Sequence, residues 1–179
     1  MLASQLGWAV EGSAQLEYAE WPGGILAEAR VQVRKEKIRG IEQVEALCIE
    51  IQRNIESLGE EGAYSNEGFQ LRRQYLQWLK VLKEKWKEIE DIQKEKAAYF
   101  LSLTVEAEIN NIQSKRLYDL GLFDEARLFA NRATDKRDDA FYCARVLGWF
   151  QDALLQLEYK RWSAILLEKA ISAHKNQSM

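Results

Sequence analysis

The chain has 179 residues, of which 47% are apolar, with one proline, ten glycines and a formal net charge of −3. This length and apolar content allow one domain with its own core. The scarcity of Pro and Gly beside many Leu, Ala, Glu, Lys, Gln and Arg is typical of helices and excludes a β-sandwich or barrel, so we expect an all-α fold. The net charge is also slightly acidic, whereas most nucleic-acid-binding proteins have a strongly basic surface.

Residues 1–24 are predicted to form an acidic amphipathic arm and a hinge. The apolar residues of the arm fall about one helical turn apart. They are Leu2, Leu6, Val10, Ala14 and Tyr18, with Trp8 and Leu16 beside them. No Lys or Arg precedes Arg30, so the arm is anionic. The Trp-Pro-Gly-Gly sequence at 21–24 breaks a helix. We expect the arm to dock on a neighbouring copy of the chain.

Residues 25–120 are predicted to form a long antiparallel helical hairpin similar to a coiled coil. The first helix is expected over 25–58 and the second over 66–120, with Ser65 as N-cap and Gly59 ending the first helix. The apolar stripe of the first helix is Val31, Ile38, Ile41, Val44, Cys48, Ile51, Ile55 and Leu58. That of the second begins with Leu71, Tyr75, Leu79, Leu82, Trp86 and Ile89. These spacings of three and four are helical, and a short link forces the helices antiparallel. From Ala97 onward the second helix is apolar nearly all round and should be enclosed by other helices.

Residues 121–179 are predicted to form a small helical body on the end of the long helix. The pattern L-G-x-F-x-[DE]-A-x-L occurs at 120–128 and again at 147–155. It resembles the turn between paired helices of a tetratricopeptide repeat, with Gly121, Phe123, Ala126 and Ala133, then Gly148, Phe150 and Ala153, at the family's positions. The resemblance covers roughly 112–160 and implies two tight turns between shorter helices. We expect these helices at 124–133, 136–147 and 150–173.

The sequence offers no recognisable catalytic or metal-binding equipment. His174 is the single histidine, and Cys48 and Cys143 lack the spacing of a metal or redox motif. No phosphate-binding glycine motif or nucleophile with a nearby base occurs, so we expect neither an enzyme nor a cofactor. No signal peptide pattern and no apolar run of about 18 residues is present. A cytoplasmic protein without membrane insertion is therefore expected.

Two features suggest surfaces for interaction. Arg30, Arg34 and Lys37 fall on one face of the first helix, although Glu residues interleave them. The chain also has six tryptophans, and the candidates for anchoring an interface are Trp78, Trp86 and Trp149. We therefore expect a non-catalytic adaptor, scaffold or assembly subunit that binds a protein partner or forms a homo-oligomer, in a larger particle for example. The alternative is a helical nucleic-acid-binding subunit that uses the basic stripe at 30–39, and salt dependence distinguishes the two.

Overall fold

A computed structural model describes residues 23–179, with side chains from Ala27 onward. This part of the chain is helical with short turns and contains no strand, which confirms the all-α expectation. The predicted arm, including the candidate residues Leu2, Leu6, Trp8 and Val10, lies outside the described residues. Gly23 and Gly24, which were expected in the hinge, instead open the first described helix.

The described part forms five long helices and one single turn of helix. Their bounds are α1 Gly23–Ser57, α2 Gly59–Ala63, α3 Asn66–Glu88, α4 Ile92–Asp119, α5 Phe123–Leu147 and α6 Phe150–Gln177. Each long helix packs mainly on its neighbour in the order α1, α3, α4, α5, α6, while α4 and α6 touch only slightly. The helices therefore form a linear series in which α6 is an end member.

The first core lies between α1, α3 and α4. Its buried members are Ile41, Val44, Cys48, Ile51, Tyr75, Leu79, Leu82, Trp86, Ala98 and Val105. The Tyr75 hydroxyl lies 3.5 Å from Gln52 Oε1, a contact that joins α3 to α1. Ser65 acts as the expected N-cap of α3, because its Oγ accepts a 3.0 Å hydrogen bond from the backbone N–H of Gly68. Val31, expected in the apolar stripe, is exposed.

The expected single helix over 66–120 is wrong, because the chain reverses at Glu90 and Asp91. Glu90 has a φ of 60°. Its N–H donates to the Lys87 carbonyl and the Asp91 N–H to the Trp86 carbonyl, both at 3.0 Å, which is a Schellman ending. Asp91 Oδ1 then caps α4 by accepting from the Lys94 N–H at 3.1 Å. Because α4 folds back onto α3 and shares its core, residues 25–120 do not form a projecting two-helix rod.

The glycine turns occur where the sequence predicts them. Gly121 and Gly148 both have a φ of 77°, and each ends a long helix. The expected break between 133 and 136 is wrong, since α5 runs from Phe123 to Leu147 without interruption. No proline or glycine lies in that interval. The Thr134 hydroxyl only donates to the Ala130 carbonyl at 3.1 Å, a bond that helices accommodate.

The resemblance to tetratricopeptide repeats extends to the two turns and no further. The helices on either side of Gly121 have 28 and 25 residues. A tetratricopeptide unit holds both of its helices within about 34 residues, so helices of this length do not fit one. The enclosure expected from Ala97 onward is partial, because α4 packs against both α3 and α5 while Tyr99 and Leu101 stay exposed.

Candidate interaction surface

A face of small side chains runs along α5. Its fully buried alanines are Ala126, Ala130, Ala133, Ala140 and Ala144. Spacings of three and four place these alanines on one side of the helix. Small side chains let helix backbones approach closely, and α5 uses this face between α4 and α6. Close packing is also visible at Ser114, whose hydroxyl donates a 2.7 Å hydrogen bond to the Ala126 carbonyl.

The face that α6 turns towards α5 is likewise small or polar. Its buried members are Ala153, Gln156, Ser163 and Ala170. Gln156 Oε1 accepts a 2.8 Å hydrogen bond from Nη1 of Arg137, which is only 5% exposed. The Arg137 guanidinium also lies 4.9 Å from the centre of the Tyr159 ring. Nearby, the Lys160 ammonium contacts Asp138 at 2.6 Å. These contacts determine which side of α6 faces the body.

The opposite side of α6 carries several large apolar side chains. Leu154 is 66% exposed, Phe150 and Trp162 are each 65% exposed, and Ile165 is 49% exposed. Leu157 continues the same patch. We call Phe150, Leu154, Leu157, Trp162 and Ile165 the outer face of α6. An ordinary surface helix buries its large apolar residues. In α6 the fully buried residues are small or polar, and the large Leu166, Leu167 and Ile171 are only partly buried. Clustered exposed apolar side chains of this kind mark contact surfaces.

Two opposite charges lie in the middle of the outer face. Glu158 and Arg161 are both exposed and lie three residues apart. Within residues 23–179, neither of them forms an ion pair. Lys169, also exposed, lies towards the carboxyl end of the same face. The outer face thus combines an apolar patch with charges of both signs that are available to another molecule.

No protein-family model, curated protein or solved structure matches the chain. None of the described helices is both long and apolar enough to span a membrane. Across residues 23–179, no group of three or more His, Cys, Asp or Glu is arranged to hold a metal ion. Function is therefore inferred from the geometry of the chain itself.

The candidate residues from the sequence fall in three different places. Arg30, Arg34 and Lys37 are exposed on α1, where Arg39 pairs with Glu36 at 3.3 Å. Trp78 is partly exposed on α3, and Trp149 packs edge-on against Phe100 with ring centres 5.6 Å apart. Trp86 is buried in the first core, with the Lys94 ammonium 4.2 Å from its ring centre. Because Trp86 is buried, it cannot anchor an interface at the surface of the described chain.

A cleft between α3, α4 and α5 is the feature closest to a chemical site. It has a volume of about 260 Å³ and is lined by Lys80, Lys83, Tyr99, Glu106 and Lys136 among others. The Glu106 carboxylate lies 2.8 Å from the Lys136 ammonium and 3.4 Å from that of Lys80. The hydrogen bond to Glu106 raises the pKa of Lys136, which favours its charged form. A charged lysine is a poor general base, so we interpret this cluster as an ion network that joins three helices.

The sequence predicts the last helix over 150–173 but does not divide its apolar residues between a buried and an exposed side. In the structure the two sides differ. The signal that separates them is residue size, since Ala153, Gln156, Ser163 and Ala170 share one side and match the alanines of α5.

Proposed function

We propose that this chain is a non-catalytic assembly or adaptor subunit that binds a protein partner or another copy of itself through the outer face of α6. The observation that carries the proposal is the exposure of large apolar residues on this helix, which fully buries only small or polar residues and leaves Phe150, Leu154 and Trp162 about two-thirds exposed. Burying one such side chain stabilises a contact by about 1.5–3 kcal/mol. An interface centred on these residues would therefore be driven by apolar burial.

The position of α6 supports the same proposal. As an end member of the series it packs mainly on α5 and touches α4 only slightly, so much of its outer side is open to another molecule. Aromatic side chains surrounded by aliphatic ones are typical of the residues that dominate binding energy in protein interfaces. Trp162 is the residue that we expect to contribute most.

The experiment compares three purified proteins over a range of concentrations. Mass is measured by light scattering, and proteins that co-purify from the expressing cells are identified. We expect the wild type to associate, either with itself or with a partner, and the double variant Leu154→Ser/Trp162→Ser to lose that association. Leu128→Ser, which alters an equally open apolar residue on α5, is the matched control and should behave as the wild type.

Circular dichroism must show the same helix content for all three proteins, since α6 turns other residues inward. The proposal is wrong if the double variant associates as fully as the wild type. It is also wrong if the wild type binds neither itself nor any partner.

The alternative, a nucleic-acid-binding subunit, rests on the exposed cations Arg30, Arg34 and Lys37 along one side of α1. Exposed Glu28 and Glu42 lie close to these cations in the sequence of the same helix. If the alternative is correct, binding of a labelled oligonucleotide should weaken steeply as salt is raised, whereas an apolar interface should be nearly unaffected. The triple replacement of the three cations by Gln should abolish that binding.

A further inference from the structure

We propose that the partner of the outer face is α6 of a second copy of this chain, packed antiparallel about a two-fold axis. This inference rests on the proposed function and identifies its partner. The order of residues along the outer face is complementary to its own reverse. A two-fold interface requires such self-complementarity, because residue i contacts j while j of the other copy contacts i.

The complementarity becomes clear when the axis is placed between Tyr159 and Lys160. In an antiparallel pair of helices, residues at equal distances on either side of the axis then face each other. Leu154 faces Ile165 of the second copy. Leu157 and Trp162 lie at matching levels but about 140° apart around the helix, so they line opposite edges of the contact. Each of these arrangements occurs twice. All four side chains are exposed in the single chain, so the arrangement buries the apolar outer face on itself.

The charges obey the same symmetry. With this axis, Glu158 of one copy faces Arg161 of the other, and the pair is repeated across the axis. Both side chains are exposed and form no ion pair within residues 23–179. Farther out, Phe150 faces Lys169, a pairing that permits a cation–π contact. A parallel pairing in register would instead set like charges side by side, so the charge pattern selects the antiparallel orientation.

The geometry of α6 is compatible with this contact. Positions 154, 158, 161 and 165 are separated by four, three and four residues, which keeps them on one side of a helix. The side chains that α6 uses to bind α5, such as Gln156 and Ser163, lie on the opposite side and stay in place. Contact with a second copy through the outer face therefore leaves the packing of α6 on α5 in place, while Ile165 and Lys169 also line a groove with Tyr118 of α4.

A charge-exchange experiment tests the arrangement. Glu158→Arg places two arginines opposite each other, and Arg161→Glu places two glutamates opposite each other. Each variant alone should weaken the dimer at least about tenfold, because like charges in an interface repel. When the two variants are mixed, every facing pair again has opposite signs. A mixed dimer should then form with an affinity near that of the wild type, as measured by sedimentation velocity with one variant labelled.

Two further proteins complete the design. The double variant Glu158→Arg/Arg161→Glu restores opposite signs within one chain and should dimerise like the wild type. Lys175→Glu, a charge change outside the contact, is the matched control and should leave the dimer unaltered. Exposed charges of this kind change stability little, so the variants should all fold.

The outcomes separate this inference from the proposed function. If the wild type associates through the outer face but the mixed variants fail to pair, the antiparallel two-fold contact is wrong while the proposed function stands. If the wild type stays monomeric and binds a different protein through the same residues, the second-copy inference is again overturned. If a dimer forms only after residues 1–22 are deleted, that segment covers the outer face in the intact chain. This result would also overturn the second-copy inference.

Discussion

Glu90 shows how a single residue can reverse the chain without any sequence signal. It adopts the left-handed conformation at the end of α3, in the same hydrogen-bonding arrangement that Gly121 and Gly148 adopt after α4 and α5. At the two glycines a helix end could be predicted, because glycine adopts positive φ without strain. At Glu90 a helix end could not be predicted, because glutamate usually favours helices. The apolar spacing also continues past this residue, through Ile89 and Ile92.

The strain at Glu90 leads to a first prediction. Glu90→Gly should raise the free energy of unfolding by about 1 kcal/mol, because left-handed backbone costs a side-chain-bearing residue roughly that amount. Gly148→Ala should lower it by a similar amount, although a Cβ there meets nothing within 4 Å. Gly40→Ala, inside α1 and equally unobstructed, is the control and should be stabilising. Urea unfolding measures all three, and a destabilised Glu90→Gly protein would contradict the explanation.

Arg137 is a buried cation whose hydrogen bonds are incomplete. Its Nη1 donates to Gln156, while Nε has no hydrogen-bond partner among the described residues. Burial lowers the pKa of this guanidinium. A buried charge without a carboxylate is weak evidence for stability, since apolar replacements of similar shape are often tolerated. We interpret Arg137 and Gln156 as fixing the register of α5 on α6.

A second prediction follows from this pair. Gln156→Leu should destabilise the chain by about 1–3 kcal/mol, because it leaves the guanidinium without its acceptor. The double variant Arg137→Met/Gln156→Leu should recover most of that loss. Chemical unfolding of the two single variants and the double variant gives the coupling directly. Additive losses would show that the two side chains act independently.

At the scale of elements, the alanine face of α5 explains why α6 presents large residues outward. Ala133 and Ala140 have no exposed surface, so α5 leaves no room for larger side chains between itself and its neighbours. The helical character of α5 and α6 could be predicted from composition and spacing. The side of α6 that is buried could not be predicted, because apolar spacing alone does not distinguish a stripe of alanines from a stripe of leucines.

The alanine face supplies a third prediction. Ala133→Leu should lower the free energy of unfolding by about 1–3 kcal/mol, because added methylene groups force packed helices apart. Leu128→Ala, on the exposed side of the same helix, should change it by less than about 0.5 kcal/mol. Thermal melts monitored by circular dichroism compare the two. Equal effects would mean that α5 is not packed through its alanines.

The core between α1 and α3 should make stability sensitive to alkaline pH. Burial raises the pKa of the Cys48 thiol to about 11 and that of the Tyr75 phenol to about 12. Both groups lose their protons more easily in the unfolded chain, so the folded state binds more protons above the ordinary thiol pKa. The free energy of unfolding that the two neutral groups contribute is therefore fully present below the ordinary thiol pKa. It is lost as pH rises towards the folded-state pKa values.

This fourth prediction is checked by urea unfolding between about pH 8 and pH 11. The wild type should lose stability across this range, and Cys48→Ala/Tyr75→Phe should lose less. Tyr142→Phe, which changes an exposed phenol on α5, should follow the wild type. An unchanged pH dependence in the double variant would refute the role given to these two side chains.

At the scale of the whole molecule, the described helices form an open series with an apolar end. Among the long helices of residues 23–179, contacts connect each with its neighbours, and nothing closes the series after α6. The central claim is that another molecule covers this end. Fluorine NMR of protein labelled with 5-fluorotryptophan tests it most directly, because Trp162 lies on the outer face while Trp78 lies on α3. Trp162→Phe and Trp78→Phe assign the two signals.

We predict that on association the Trp162 signal shifts and loses its sensitivity to the exchange of H₂O for D₂O, while the Trp78 signal is unchanged. A Trp162 signal that stays as solvent-sensitive in the associated protein as in the dilute monomer would contradict the claim.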